Sequence, residues 1–118
     1  MKSSGEVRHP RTGKTLKPKP LEGEDVDHEL DRRIPLAAWL TSPDNRDFAK
    51  SVVNRYVGYL LGRGLVEPVD DMRATNPPTN PALMEALADH LIASRYDLKQ
   101  LMRVIMSSRL YQLQSRPT

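Results

Sequence analysis

The stretch SPDNRDFAKSVVNRYVGYLLGRGLVEP, Ser42 to Pro68, decides the fold of this chain. Advanced by about 100° per residue, Phe48, Tyr59, Val52, Tyr56, Ala49, Leu60, Val53 and Val57 fill one continuous half of a helical wheel without a charge among them. A face of that kind is buried. Lys50, Asn54, Ser51 and Arg55 fall on the other half, and Gly62 and Gly64 supply the backbone freedom that ends the helix near Leu61. The pattern specifies a core helix and names no reaction.

Reading outward from this helix, Ser42-Pro43-Asp44 is a start signal, with a hydroxyl to cap, a proline suited to the first turn and an acid near the positive helix end. A preceding helix is expected over about Asp31 to Leu40, with Pro35 in its first turn and Trp39 sealing the core. Downstream, Leu65-Val66 reads as extended, and Glu67 to Pro81 as a long loop rich in proline, near the upper length for a compact domain. Asn80-Pro81 opens a third helix, to about Ser94, whose apolar face is Leu83, Met84, Leu87, Ala88 and Leu91. Asp97, with Gln100 three residues on, opens a fourth, to about Ser108, with Leu98, Leu101, Met102, Ile105 and Met106 at helical spacing. The Arg95-Tyr96 link is short, which favours an antiparallel hairpin lying on the central helix.

The chain has 118 residues, so its core is small, and with one tryptophan and 5% aromatic residues burial falls mainly to aliphatic side chains. Cysteine is absent, which excludes disulfides, thiolate metal sites, paired-cysteine haem attachment and cysteine nucleophiles. No apolar run reaches the ~20 residues that span a bilayer, so no transmembrane segment is expected, and the sequence as written carries no export signal. The net charge of +3 conceals two opposed blocks: residues 1–20 carry +5 and residues 21–31 carry −6. Adjacent blocks of opposite sign screen each other rather than project a field. Prolines and glycines interrupt any period in residues 1–30, which read as a polar extended arm. Thr12-Gly13 is a possible turn, with Val7 and Leu16 able to flank it as a hairpin.

Residue types with chemical potential have ordinary explanations. His9, His28 and His90 are scattered, without the paired spacing of a zinc helix. Asp44, Asn45 and Asp47 lack the glycine and distal glutamate of a calcium loop and read as capping groups. Asp70 and Asp71 resemble an acid/base pair, but pairing with Arg73 or Arg63 explains them better. Gly62-Arg63-Gly64 ends a helix where a phosphate cradle begins one. Arginine outnumbers lysine twelve to six, which leaves a basic nucleic-acid-binding module as the alternative function. A hydrolase or metal-dependent enzyme using Asp70, Asp71 and a histidine ranks below it.

Taken together, HPRTGKTLKPKPL (His9 to Leu21), DRRIPLAAWLTSPDNRDFAKSVVNR (Asp31 to Arg55), GRGLVEPVDDMRATNPPTNPALMEALADH (Gly62 to His90) and DLKQLMRVIMSSRLYQLQS (Asp97 to Ser115) resemble the planctomycete-specific domain of unknown function 1553, specifically its C-terminal part. The resemblance implies a place at the end of large exported proteins that often carry a cytochrome c-like module. It therefore points outside the cytoplasm. It implies no activity that can be assigned to residues.

The sequence therefore predicts an all-α fold of about four helices, a C-terminal hairpin packed on a central helix, and an extended arm. The expected boundaries are an arm over 1–30, a helical domain over 31–115 and a tail over 116–118. Phe48, Val52, Tyr56, Leu60, Leu87, Leu91, Leu101, Met102 and Ile105 are expected in the core. The expected function is a non-catalytic scaffold or protein-interaction module, with no catalytic residue, metal or cofactor, whose partners are other domains or subunits of a larger protein. Its candidate surface comprises His9, Arg11, Lys14, Arg63, Asp70, Asp71, Arg73 and Asn76.

Overall fold

The computed structural model describes residues 7–20, 23–25 and 31–113. His28, much of the acidic block and the tail at 116–118 lie outside the described residues. The chain forms two compact units, Met1–Ser42 and Pro43–Thr118, each described by itself.

In the first unit the arm contains a hairpin: β1 (Val7–Arg8) pairs antiparallel with β2 (Thr15–Leu16), Val7 facing Leu16 and Arg8 facing Thr15. Gly13 turns the chain at φ +65°, and the His9 Nδ1 accepts from the Arg11 and Thr12 amides, each at 3.2 Å. Helix α1 (Arg33–Leu40) starts where Asp31 accepts from the Arg33 amide and grips its guanidinium at 2.6 Å. None of its residues is fully buried. Trp39 is half-buried, and its surroundings are described within its own unit. Its indole stands by Gly23, where an added Cβ would lie 3.2 Å from the indole nitrogen and 2.5 Å from Pro20.

The second unit holds α2 (Arg46–Leu61), α3 (Pro81–Ala93) and α4 (Leu98–Met106), and each of the three packs on the other two. Their ends follow capping chemistry. Asn45, rather than Ser42 or Asp44, caps α2 through its side-chain oxygen, and Gly62 ends it at φ +77° with its amide on the Gly58 carbonyl. Asn80 accepts from the Leu83 amide at 3.0 Å ahead of Pro81, and Asp97 accepts from the Lys99 and Gln100 amides. Between α3 and α4 the Tyr96 amide donates to Leu91 and the Arg95 amide to Ile92, a Schellman arrangement. It is built with Arg95 and Tyr96 at φ +54° and +60° instead of glycine.

Helix direction follows from the ion pairs. Arg46, at the start of α2, meets Glu85 and Asp89 at 2.7 Å each, and Lys50 meets Glu85 at 2.6 Å, so α3 runs antiparallel to α2. Phe48 and Tyr96 approach to 5.7 Å between ring centroids, which places the start of α4 beside the start of α2.

The core comprises Ala49, Val53 and Val57 of α2, Leu65 and Val66 after it, Met84, Leu87, Ala88 and Leu91 of α3, and Leu101 and Ile105 of α4. The expected positions of Leu87, Leu91, Leu101 and Ile105 hold. The central helix is turned from the expected orientation. Phe48 and Met102 are half-buried, Val52, Tyr56 and Leu60 only flank the core, and Tyr59 is 73% exposed. The buried line is Ala49, Val53 and Val57, small side chains one turn apart that let α3 approach closely.

Asn54, which the wheel assigns to solvent, explains the turn. It is fully buried. Its Nδ2 donates to the carbonyls of Val66 at 2.9 Å and Val69 at 3.0 Å, and its Oδ1 accepts from the Val66 amide at 2.9 Å. The loop after α2 therefore folds back over the Asn54 side, burying it under backbone, and leaves the Tyr59 side open. Gly64 lies against this contact, where a Cβ would come within 2.8 Å of both the Asn54 Oδ1 and the Val66 carbonyl oxygen.

Removing the carboxamide strands a buried amide and a buried carbonyl, each worth ~1–3 kcal/mol when unpaired. Asn54→Ala is expected to lose about 3 kcal/mol in denaturant unfolding, and Gly64→Ala about 1–3 kcal/mol through the forced contact. The Tyr96 hydroxyl is buried without a hydrogen-bond partner among the described residues, and burial raises its pKa. Tyr96→Phe is accordingly expected to leave the melting temperature unchanged or raised, and a marked fall contradicts this account. Hydrogen bonds from Lys50 first and Arg46 second lower the Glu85 pKa below its ordinary 4.5. The stability Glu85 contributes is thus complete above that ordinary value and disappears as pH falls through the lowered folded one. Unfolding midpoints measured from about pH 6 down to about pH 3 should fall less steeply in Glu85→Gln than in the parent chain.

Candidate interaction surface

The end of the helical unit opposite Phe48 and Tyr96 is open. Gly62 turns the chain out of α2, and Leu65 and Val66 then fold inward and are buried. The Thr79 amide and hydroxyl both donate to the Leu65 carbonyl, at 2.7 and 3.1 Å, which ties the far end of the loop to this turn just before α3 begins. Between these points and the last turn of α4 lies a groove of about 420 Å³, with Val57, Leu61, Leu83, Leu87, Val104 and Leu110 in its walls and Arg63 at its lip. Leu83 is 39%, Val104 42% and Leu110 60% exposed. Its volume falls in the range of ligand and anchor-residue clefts, and its walls are aliphatic.

Of the eight candidate surface residues named by sequence, Arg63 alone lines this groove, and among the described residues it forms no ion pair. The loop residues stabilise the loop itself. Arg55 grips Asp70, and Arg73 pairs with Asp71 at 2.5 Å. Asn76 donates from its Nδ2 to the carbonyls of Glu67 and Asp71, both at 3.0 Å. Arg73 and Asn76 also line a second cleft of about 290 Å³ beneath the loop, together with Lys50, Met72, Pro77 and Glu85. Asp70 and Asp71 line neither cleft. The hydrogen bond from Arg73 holds the Asp71 carboxyl below its ordinary pKa, opposite to the shift a general acid needs. In the first unit, Arg11 and Lys14 are exposed, and His9 is held by the hairpin turn, its amide donating to the Lys14 carbonyl at 2.9 Å.

Among the described residues no three histidine, aspartate or glutamate side chains converge as a metal site would require. His90 is half-buried, with its Nε2 shielded and unpaired among those residues. Among the described residues no helix is long and apolar enough to cross a membrane. Helical periodicity places Leu83 on the apolar face of α3 without marking it as groove wall, and it leaves Val104 and Leu110 unassigned because they lie off the α4 stripe. The available signal was surplus: Val104 lies off the Leu101 and Ile105 line, and Leu110, Tyr111 and Leu113 continue the apolar run past the helix.

No curated protein and no solved structure matches the chain. A family model described as protein of unknown function DUF1553, PSD1, matches residues 32–118, most of the chain and all three helices of the second unit. The order of motifs, the capped helices and that match agree, and the chain belongs to the DUF1553 family.

Proposed function

We propose that this chain is a non-catalytic interaction module that packs against other domains of a larger protein of the DUF1553 family. The open aliphatic groove between the ends of α2, α3 and α4 carries this reading. Leu83, Val104 and Leu110 stand exposed around it, and a partner that covered them would remove that apolar surface from water. The occupant is a polypeptide segment presenting apolar side chains, with a polar or acidic group to meet Arg63 at the lip. The Arg73 and Asn76 cleft and the hairpin residues His9, Arg11 and Lys14 supply further contact surface. The loop's internal hydrogen bonds preserve its shape before a partner arrives, which lowers the ordering cost of association.

The isolated chain is expected to bind a dye that reports exposed apolar surface and to bind the upstream part of its family domain. Leu83→Ser with Leu110→Ser should lower both signals severalfold while the helical circular dichroism persists. A monomer that binds neither dye nor the upstream part overturns the reading. Duplex DNA binding that falls steeply with added salt, without affinity for the upstream part, replaces it with a nucleic-acid module.

A further inference from the structure

The charges of the helical unit are unevenly satisfied. Arg46, Lys50, Arg55 and Arg73 all have carboxylate partners, and they lie on α2 and its loop. Arg95, Lys99, Arg103 and Arg109, on and around α4, form no ion pair among the described residues. The acid in that stretch, Asp97, is engaged as the α4 cap, and the Lys99 charge is the smallest influence on its lowered pKa.

Helix electrostatics account for Arg103, in the last turn, but not for Lys99. Lys99 is the second residue of α4, where the positive end of the helix disfavours a cation and favours an acid. The apolar residues of α4 are also divided. Leu101 and Ile105 are buried, and Val104 on one flank faces the groove. On the other flank Leu98 is 38% and Met106 43% exposed, with Met102 half-buried between them. Lys99, Met102, Arg103, Met106 and Ser107 surround one shallow surface depression. Two cations one turn apart thus stand beside two methionines one turn apart.

We infer that this outer flank of α4 is a docking ridge for an acidic amphipathic helix, whose carboxylates at i and i+4 meet Lys99 and Arg103 and whose adjacent apolar stripe lies on Met102 and Met106. The complementarity is of charge and of spacing. Residues four apart on a helix stand about 6 Å apart, so two facing helices present matching rows. Methionine adapts to varied apolar partners, and a helix laid in a surface groove is a recurring mode of recognition. A polyanion such as duplex DNA would meet the cations and leave the methionine row in water. This ridge lies on the opposite flank of α4 from the groove and stands or falls independently of it.

The test is selection from a display library of helical peptides against the full chain. Enriched peptides should carry acids four residues apart beside a leucine, isoleucine or methionine row. Binding of one such peptide, followed by fluorescence anisotropy at low salt, should weaken about tenfold in Lys99→Glu with Arg103→Gln. It should also weaken severalfold in Met102→Ser with Met106→Ser, and remain unchanged in Leu83→Ser on the groove. Lys99→Glu alone should bind less tightly while its melting temperature holds or rises, which separates lost recognition from lost folding. Enrichment of peptides without acids, enrichment of none, or binding that survives both the charge and the methionine variants overturns the proposal. So does tighter binding of a short DNA duplex, or of phosphatidylserine vesicles, than of the selected peptide.

Discussion

The second unit depends on one buried carboxamide. Asn54 uses both amide hydrogens and its oxygen on the backbone at Val66 and Val69, holding the loop against the central helix. The Val66 groups are buried and the Val69 carbonyl half-buried, and without Asn54 they lose this hydrogen-bond partner. The contact also decides which way α2 turns. Given the choice between burying the Tyr59 edge under side chains and the Asn54 edge under backbone, the chain does the second. The small residues Ala49, Val53 and Val57 then become the floor on which α3 rests.

Much of this architecture was legible from residue order. Local signals that act within one turn identified helix ends at Asn80-Pro81, Asp97 and Gly62, and the short link at Arg95 indicated the hairpin. The rotation of α2 was not legible. Eight apolar residues covering half a wheel define a face too broad to locate its own centre, and the polarity of asparagine hides its role unless its loop partners are known. Nor does periodicity reveal that the Trp39 indole stands beside Gly23 of its own unit. The candidate surface was legible only in part, since Arg63 reached a groove lip while Asp70 paired with Arg55 of α2 and Asp71 with Arg73 of its own loop.

The helical unit presents different characters around its circumference. Where α2 meets α3, cations and carboxylates are matched across the interface, and such exposed pairs add register more than stability. At the open end the surface is aliphatic, and along the outer flank of α4 it is cationic with methionine beside it. The DUF1553 family model matches residues 32–118, and all of these surfaces lie within that stretch.

The Asn54 contact also bears on the order in which the unit assembles. Its partner Val66 is only 12 residues away in sequence, and a loop that short closes within about 10–100 ns at small entropic cost. Helix α2 and the turn that follows it can therefore meet before α3 is in place. Of the contacts that hold the unit together, this one asks little of the chain in closure entropy, whereas the Arg46 and Glu85 pair that seats α3 closes a longer segment.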